Sequence, residues 1–260
     1  MVPEERMVGY RTAGHVAMVT LDSPQNRNAL SSSLLRQLRT ALQRAAEDPL
    51  VRVVVLGHTG TTFCAGADLR EQEEARARTG SSPGAGALAP ILVAILDCPK
   101  PVVAEVAGAV RGGGMGLVAA CDLAVAADPA TFAFSEVRVG VAPAVIAHVV
   151  LARMTPAWSA ELFLTGRTFS AAEALSAGLV NRVVPAGELS AEVARLVSDL
   201  VAGAPGAQAE VKRLLARVPR LERSQALEEM VALSERLFSA EEAREGISAF
   251  RERRPPSWSG

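Results

Sequence analysis

The apolar positions of this chain follow two periods. His15–Leu21 ("HVAMVTL") and Val51–Gly57 ("VRVVVLG") are β-branched runs, which predicts strands. Between them "SSSLLRQLRTALQRAAED" carries apolar residues at nearly every third or fourth position behind serines able to cap, which predicts an amphipathic helix. Val102–Val106 and Leu123–Ala127 are further strand candidates. Each strand-like run leads into a loop and a helix, so the first two-thirds read as α/β layering. The segment Arg78–Ala87 ("RTGSSPGAGA") is the most loop-like and is expected to be mobile. From about Pro156 the signal turns helical, in "LSAEVARLVSDLVAGAP", "ALEEMVALSERLF" and "AEEAREGISAFRERR". No internal repeat with fixed residues is visible. The pattern divides the chain into an α/β core, 1–198, and a helical C-terminal region, 199–260.

Composition narrows this picture. The 260 residues are 49% apolar but only 4% aromatic, so the core must be built mainly from Ala, Val and Leu. A net charge of -1 argues against a nucleic-acid face. No run reads as membrane-spanning, and "MVPEERMVGY" lacks the apolar stretch of a signal peptide, so a cytoplasmic protein without a membrane partner is expected. Cys64, Cys98 and Cys121 are far apart and odd in number, which predicts reduced, buried thiols. His15, His58 and His148 show no metal spacing, and no metal is expected.

The candidate chemistry lies in "RGGGMGLVAACD", Arg111–Asp122. Three successive glycines cost conformational entropy and contribute no packing, so they need a reason. A G-x-G-x-x-G fingerprint fails at its last glycine, and no Gly-Lys-Ser/Thr follows for a phosphate loop. A tight turn for close packing remains open. So does a bare backbone that offers N–H groups to a developing negative charge at a helix start. A second small-residue loop after a strand, "GTTFCAGADL" (Gly60–Leu69), favours the last reading. Two such loops can each give one donor to the same oxygen, which makes an oxyanion hole.

These segments, "FCAGADL", "PVVAEVAGAVRGGGMGLVAACDLAVAA", "FSEVRVGVAPA" and "LTGRTFSAAEALSAGLVNRVV", resemble in order those of the enoyl-CoA hydratase/isomerase (crotonase) superfamily. "LDSPQNRNAL" and "EEAREGISAFRERRPPSW" are similar to its N- and C-terminal ends. The resemblance implies a spiral of β-β-α turns with a helical C-terminal region used in trimerisation, giving a homotrimer or a hexamer (a dimer of trimers). It implies an acyl-CoA thioester as substrate and no separate cofactor. Ala67 and Gly113 would supply the two N–H donors, and Glu136 the catalytic carboxylate. Ala65 would present its carbonyl to the CoA adenine, and Arg27–Leu30 would border the CoA. The substrate-binding set that the resemblance implies is Arg27, Ala29, Ala65, Asp68, Leu69, Gly112 and Gly116.

Many hydratases of the superfamily carry a second glutamate two residues beyond the glycines, where this chain has Gly116. The small residue there is similar to the branch that hydrates methylglutaconyl-type acyl groups. Hydration of a 2-enoyl-CoA to a 3-hydroxyacyl-CoA is the leading expectation. Δ3,Δ2-enoyl-CoA isomerisation and a non-catalytic acyl-CoA-binding role are the alternatives. A carboxylate restored at position 116 is expected to favour straight-chain hydration and to obstruct branched substrates. Acyl length, branching and pathway are not legible. Among the other polar residues, Glu105 is expected at an interface or paired with a base such as Arg111, and Asp122 as a loop or interface anchor. Asp68 is divided between a helix cap and a ligand contact. His148 is expected as a hydrogen-bonded packing residue, and Arg251–Arg254 as a solvated helix end, with CoA phosphate contact the sharper alternative.

Overall fold

A computed structural model describes residues 5–79 and 84–259. In chain order the elements are β1 (Val8–Ala13), β2 (Val16–Leu21), α1 (Ser32–Glu47), β3 (Val53–His58), β4 (Thr62–Cys64), α2 (Leu69–Thr79), α3 (Gly84–Leu96), β5 (Val102–Val106), β6 (Ala109–Arg111), α4 (Gly113–Ala120), β7 (Leu123–Ala127) and β8 (Thr131–Ala133). They continue with α5 (Ala144–Leu151), α6 (Pro156–Thr165), β9 (Phe169–Ser170), α7 (Ala171–Ser176), β10 (Arg182–Val184), α8 (Leu189–Ala202), α9 (Pro205–Arg217), α10 (Arg223–Phe238) and α11 (Glu241–Glu252).

The strands form two sheets, β1-β2-β3-β5-β7-β10 and β4-β6-β8-β9. Successive turns of chain give one strand to each sheet: β3 then β4, β5 then β6, β7 then β8. This is the expected β-β-α spiral. Pairing is parallel from β2 through β10 and antiparallel only for β1 with β2 in the large sheet. Parallel strands covered on both faces read as unbroken apolar runs, and β3 shows why. Val54 and Leu56 enter the main core, while Val53 and Val55 enter a second cluster under Leu189, Val193 and Leu196 of α8. Ser31 caps α1 by accepting the Leu34 N–H, and Leu34, Leu35, Leu38, Ala41, Leu42 and Ala45 form its buried stripe.

Gly84–Ala87 belongs to α3 and is not loop, and Leu88, Ile91, Leu92 and Ile95 bury that helix. Gly80–Pro83, the middle of the expected mobile segment, lies outside the described residues. The C-terminal helices are tied to the core by side chains far apart in sequence. Lys212 Nζ on α9 pairs with Asp122 Oδ2 at 2.7 Å and donates to the carbonyls of Ile95 and Lys100. Asp122 Oδ2 also accepts the Val102 N–H, so it is an anchor between the start of β5 and α9. Arg52 donates to the carbonyls of Gly203 and Trp258. Helix α8 runs across the expected 198/199 boundary. Among the described residues no helix is long and apolar enough to cross a membrane.

Candidate active site

Two loops meet at the end of the small sheet. The first follows β4. Ala65 donates its N–H to the Arg27 carbonyl at 3.0 Å, and Leu30 donates to the Gly66 carbonyl at 2.8 Å. Leu30 and Ala67 thereby form a parallel bridge. Ala67 is exposed, and among the described residues no backbone carbonyl takes its N–H. Asp68 Oδ1 accepts the N–H groups of Arg70 and Glu71 at 3.1 and 3.2 Å, so its carboxylate caps α2.

The second loop is the glycine run, and each glycine has its own reason. Gly112 has φ +51, a left-handed conformation that a side chain would strain. A Cβ on Gly113 would lie 2.7 Å from Leu30 Cδ1, and one on Gly114 would lie 2.7 Å from Cys64 Cβ. Close packing and bare backbone are therefore both present. Gly113 opens α4 and is partly exposed between buried neighbours, so its N–H has no acceptor within the helix. The loops touch, since a Cβ on Gly112 would lie 3.5 Å from Gly66 Cα.

Glu136 follows β8 in a short 3-10 turn, Ser135–Val139. Its carboxylate lies beside the glycine loop, with Oε1 at 3.6 Å from a Cβ position on Gly112. Oε2 is buried and without a hydrogen-bond partner among the described residues. Burial raises the Glu136 pKa above the ordinary carboxylate value, against a smaller lowering from a backbone N–H. The juxtaposition is a desolvated acid/base group next to two loops with free N–H donors.

A cleft of about 500 Å³ adjoins the first loop and is lined by Arg27, Ala29, Ala65, Ala67, Asp68 and Leu69 among others. The structure thus gathers six of the expected residues on one concave surface. Asn28, inside the Arg27–Leu30 loop, was given no role of its own by the motifs, yet its side chain holds this turn. It is buried in a left-handed conformation with φ +53. Its Nδ2 donates to the carbonyls of Thr59 and Thr62, and its Oδ1 accepts the Ser23 N–H. Asn is one of the few residues besides Gly that visit this conformation, which was the available signal.

The profile of the enoyl-CoA hydratase/isomerase family matches residues 11–260. The chain belongs to this family. It is 34% identical to carnitinyl-CoA dehydratase of Proteus mirabilis over 255 residues, covering 96% of this chain and 97% of that one. It is equally 34% identical to mouse enoyl-CoA hydratase domain-containing protein 3, mitochondrial, covering 98% and 85%. The crystal structure of an enoyl-CoA hydratase of Mycobacterium smegmatis superposes with a TM-score of 0.91 at 35% identity, covering 98% and 100%. Family membership supports lyase or isomerase activity on acyl-CoA thioesters.

Within this crotonase framework several expected positions are corrected. Gly116 is buried on α4, and a Cβ there would run into Ile146, whose Cβ lies at 3.0 Å, and meet Leu92 Cδ2 at 3.5 Å. It is a packing position, with no open space for a carboxylate. Glu105 does not pair with Arg111. It accepts the Ser190 hydroxyl at 2.7 Å under α8, while Arg111 donates to the carbonyl and hydroxyl of Thr131. His148 is exposed on α5, so it does not serve as a buried packing residue. Arg254 is engaged by Glu245 and Glu252. The three thiols are free and buried, and burial pushes Cys64 and Cys121 up to about 12.

Proposed function

We propose that the protein hydrates a 2-enoyl-CoA to a 3-hydroxyacyl-CoA. Glu136 takes a proton from water as the water oxygen bonds to C3. The electron pair of the C2–C3 double bond shifts toward the thioester carbonyl, whose oxygen rests on the N–H groups of Ala67 and Gly113. C2 then takes a proton from the Glu136 carboxyl and the carboxylate is restored. Water is divided between C3 and C2, so the balance needs no metal or redox cofactor. The observation that carries this reading is the unpartnered, buried Glu136 Oε2 beside the paired loops. A carboxyl raised toward the working pH can both accept and return a proton. The Arg27–Leu69 cleft would take the CoA, with the Ala65 carbonyl toward the adenine. The assembly proposed is a homotrimer or a hexamer in the cytoplasm, with 199–260 as the assembly region.

One observation favours a second reading. Ile146 fills the space against Gly116, so Glu136 has no carboxylate partner from α4 to help hold a water. Δ3,Δ2-Enoyl-CoA isomerisation needs only one such group, which would move a proton between C2 and C4. Absorbance assays with crotonyl-CoA, 3-methylglutaconyl-CoA and a 3-enoyl-CoA separate these readings. Turnover of either 2-enoyl thioester supports hydration, and turnover of the 3-enoyl substrate alone supports isomerisation. Binding of all three without turnover overturns both in favour of a non-catalytic binder.

A further inference from the structure

The geometry points to Leu30 as the residue that sets the spacing of the two thioester-oxygen donors, an inference that rests on the oxyanion hole proposed above. Leu30 touches both loops. Its backbone is bridged to Ala67, with the Leu30 N–H on the Gly66 carbonyl at 2.8 Å. Its side chain lies against Gly113, with Cδ1 at 2.7 Å from the Cβ position that glycine leaves empty. Gly112 and Gly114 pack directly against Gly66 and Cys64, but Gly113 brings no side chain of its own, so the position of its N–H depends on what packs against its bare face. Leu30 and Leu88, whose Cδ2 lies 3.0 Å from the same point, both pack there, and of the two Leu30 is also bridged to Ala67.

Leu30 is itself held. Two residues before it, the Asn28 side chain clamps the turn to the carbonyls of Thr59 and Thr62. One residue after it, Ser31 caps α1. Leu30 is 7% exposed, so it has little room to adopt another position. Two N–H donors stabilise one oxygen only when both stand within about 2.7–3.1 Å of it, and Leu30 is a side chain in contact with both loops that carry them.

The test combines kinetics with a spectroscopic probe that needs no turnover. [1-¹³C]Butanoyl-CoA, a saturated thioester, is bound to wild type and variants, and its carbonyl stretch is read by infrared difference spectroscopy. Wild type should shift the band to lower frequency. Leu30→Ala should lose most of that shift while the affinity for the thioester changes by less than about threefold. With the enoyl-CoA that wild type turns over, kcat should fall by about 10- to 100-fold, with KM nearly constant. Leu30→Met, close in volume, should restore both shift and kcat. If Leu30→Ala does not fold, Leu30→Val carries the same reading with a smaller effect.

A full shift and unchanged kcat in a folded Leu30→Ala or Leu30→Val variant would overturn the assignment of Leu30 alone. An unshifted band in wild type would overturn the oxyanion hole, and Leu30's role with it.

Discussion

Ile146 occupies the space that a side chain on Gly116 would need: its Cβ stands 3.0 Å from the Cβ position of that glycine, and its Cγ2 stands closer still. The contact joins α4 to α5 and fills the face of α4 from which a second carboxylate would project. The packing of these two helices thus leaves Glu136 without a carboxylate partner from position 116, as the proposed one-carboxylate chemistry requires.

This contact makes Gly116→Ala destabilising although it places alanine in a helix. Helix propensity favours alanine by about 1 kcal/mol, whereas overpacking of a closed core costs about 1–3 kcal/mol. The expected net loss is read by urea denaturation, and Gly116→Ala should cost less in an Ile146→Ala background than in wild type. Gly116→Glu should be worse and should bring no gain in crotonyl-CoA hydration. A Gly116→Ala protein as stable as wild type would show that Ile146 yields freely.

Glu136→Gln keeps the shape of the side chain and removes the proposed base. Turnover should fall by about 10²–10⁴-fold, with thioester affinity retained. Steady-state kinetics and calorimetric titration read the two quantities. A variant that keeps a third of the wild-type rate would remove Glu136 from the mechanism.

The raised Glu136 pKa also sets a stability trend. Between the ordinary carboxylate pKa and the raised folded value, the folded state holds more protons at Glu136 than the unfolded state. This contribution to stability is present at low pH and is lost as pH rises through the folded value. Glu136→Gln should therefore melt above wild type at pH 8, and the gap should close as pH falls below the ordinary carboxylate range. Melting curves across pH 4–8 check the sign, and a gap that widens on acidification contradicts it.

Asn28→Ala removes the two Nδ2 hydrogen bonds and the Oδ1 acceptor of the Ser23 N–H, and it puts alanine in a left-handed conformation. The unpaired carbonyls and lost bonds should cost about 1–3 kcal/mol. Because the turn borders the cleft, KM for acyl-CoA should rise more than kcat falls. Denaturation and kinetics on the same preparation separate the two effects. An unchanged KM would detach the turn from CoA binding.

Leu227, Val231, Phe238 and Phe250 of α10 and α11 are 63%, 58%, 71% and 85% exposed in the single chain. Apolar surface of this kind is expected to be covered by other copies. Light scattering should give three or six times the 27.2 kDa chain mass. A stable monomer at micromolar concentration would exclude the proposed assembly.

The sequence alone determined the elements whose burial writes itself into one local pattern. β5 and β7 begin and end where their apolar runs do, because buried parallel strands leave no polar alternation. α1 was legible from its cap and its stripe, and the glycine loop and Glu136 from an ordered set of motifs. β4, β6, β8 and β9 were not, because strands of two or three residues carry no period. The small-residue start of α3 imitates a loop, because its helical conformation comes from the apolar residues that follow.

What only the tertiary structure decided is which distant groups share a space. Nothing local to Gly116 names Ile146, nothing local to Leu30 names Gly113, and nothing local to Asp122 names Lys212. Likewise, Glu105 and His148 read alike as polar interruptions of apolar runs, yet one is held by Ser190 under α8 and the other faces outward. Local propensity and periodicity act over a few residues of chain, whereas exclusion of volume and hydrogen-bond satisfaction act between whatever surfaces the fold brings together. The sequence could therefore name candidate groups and, by resemblance, the company they keep, whereas the packing of the spiral set the contacts around them.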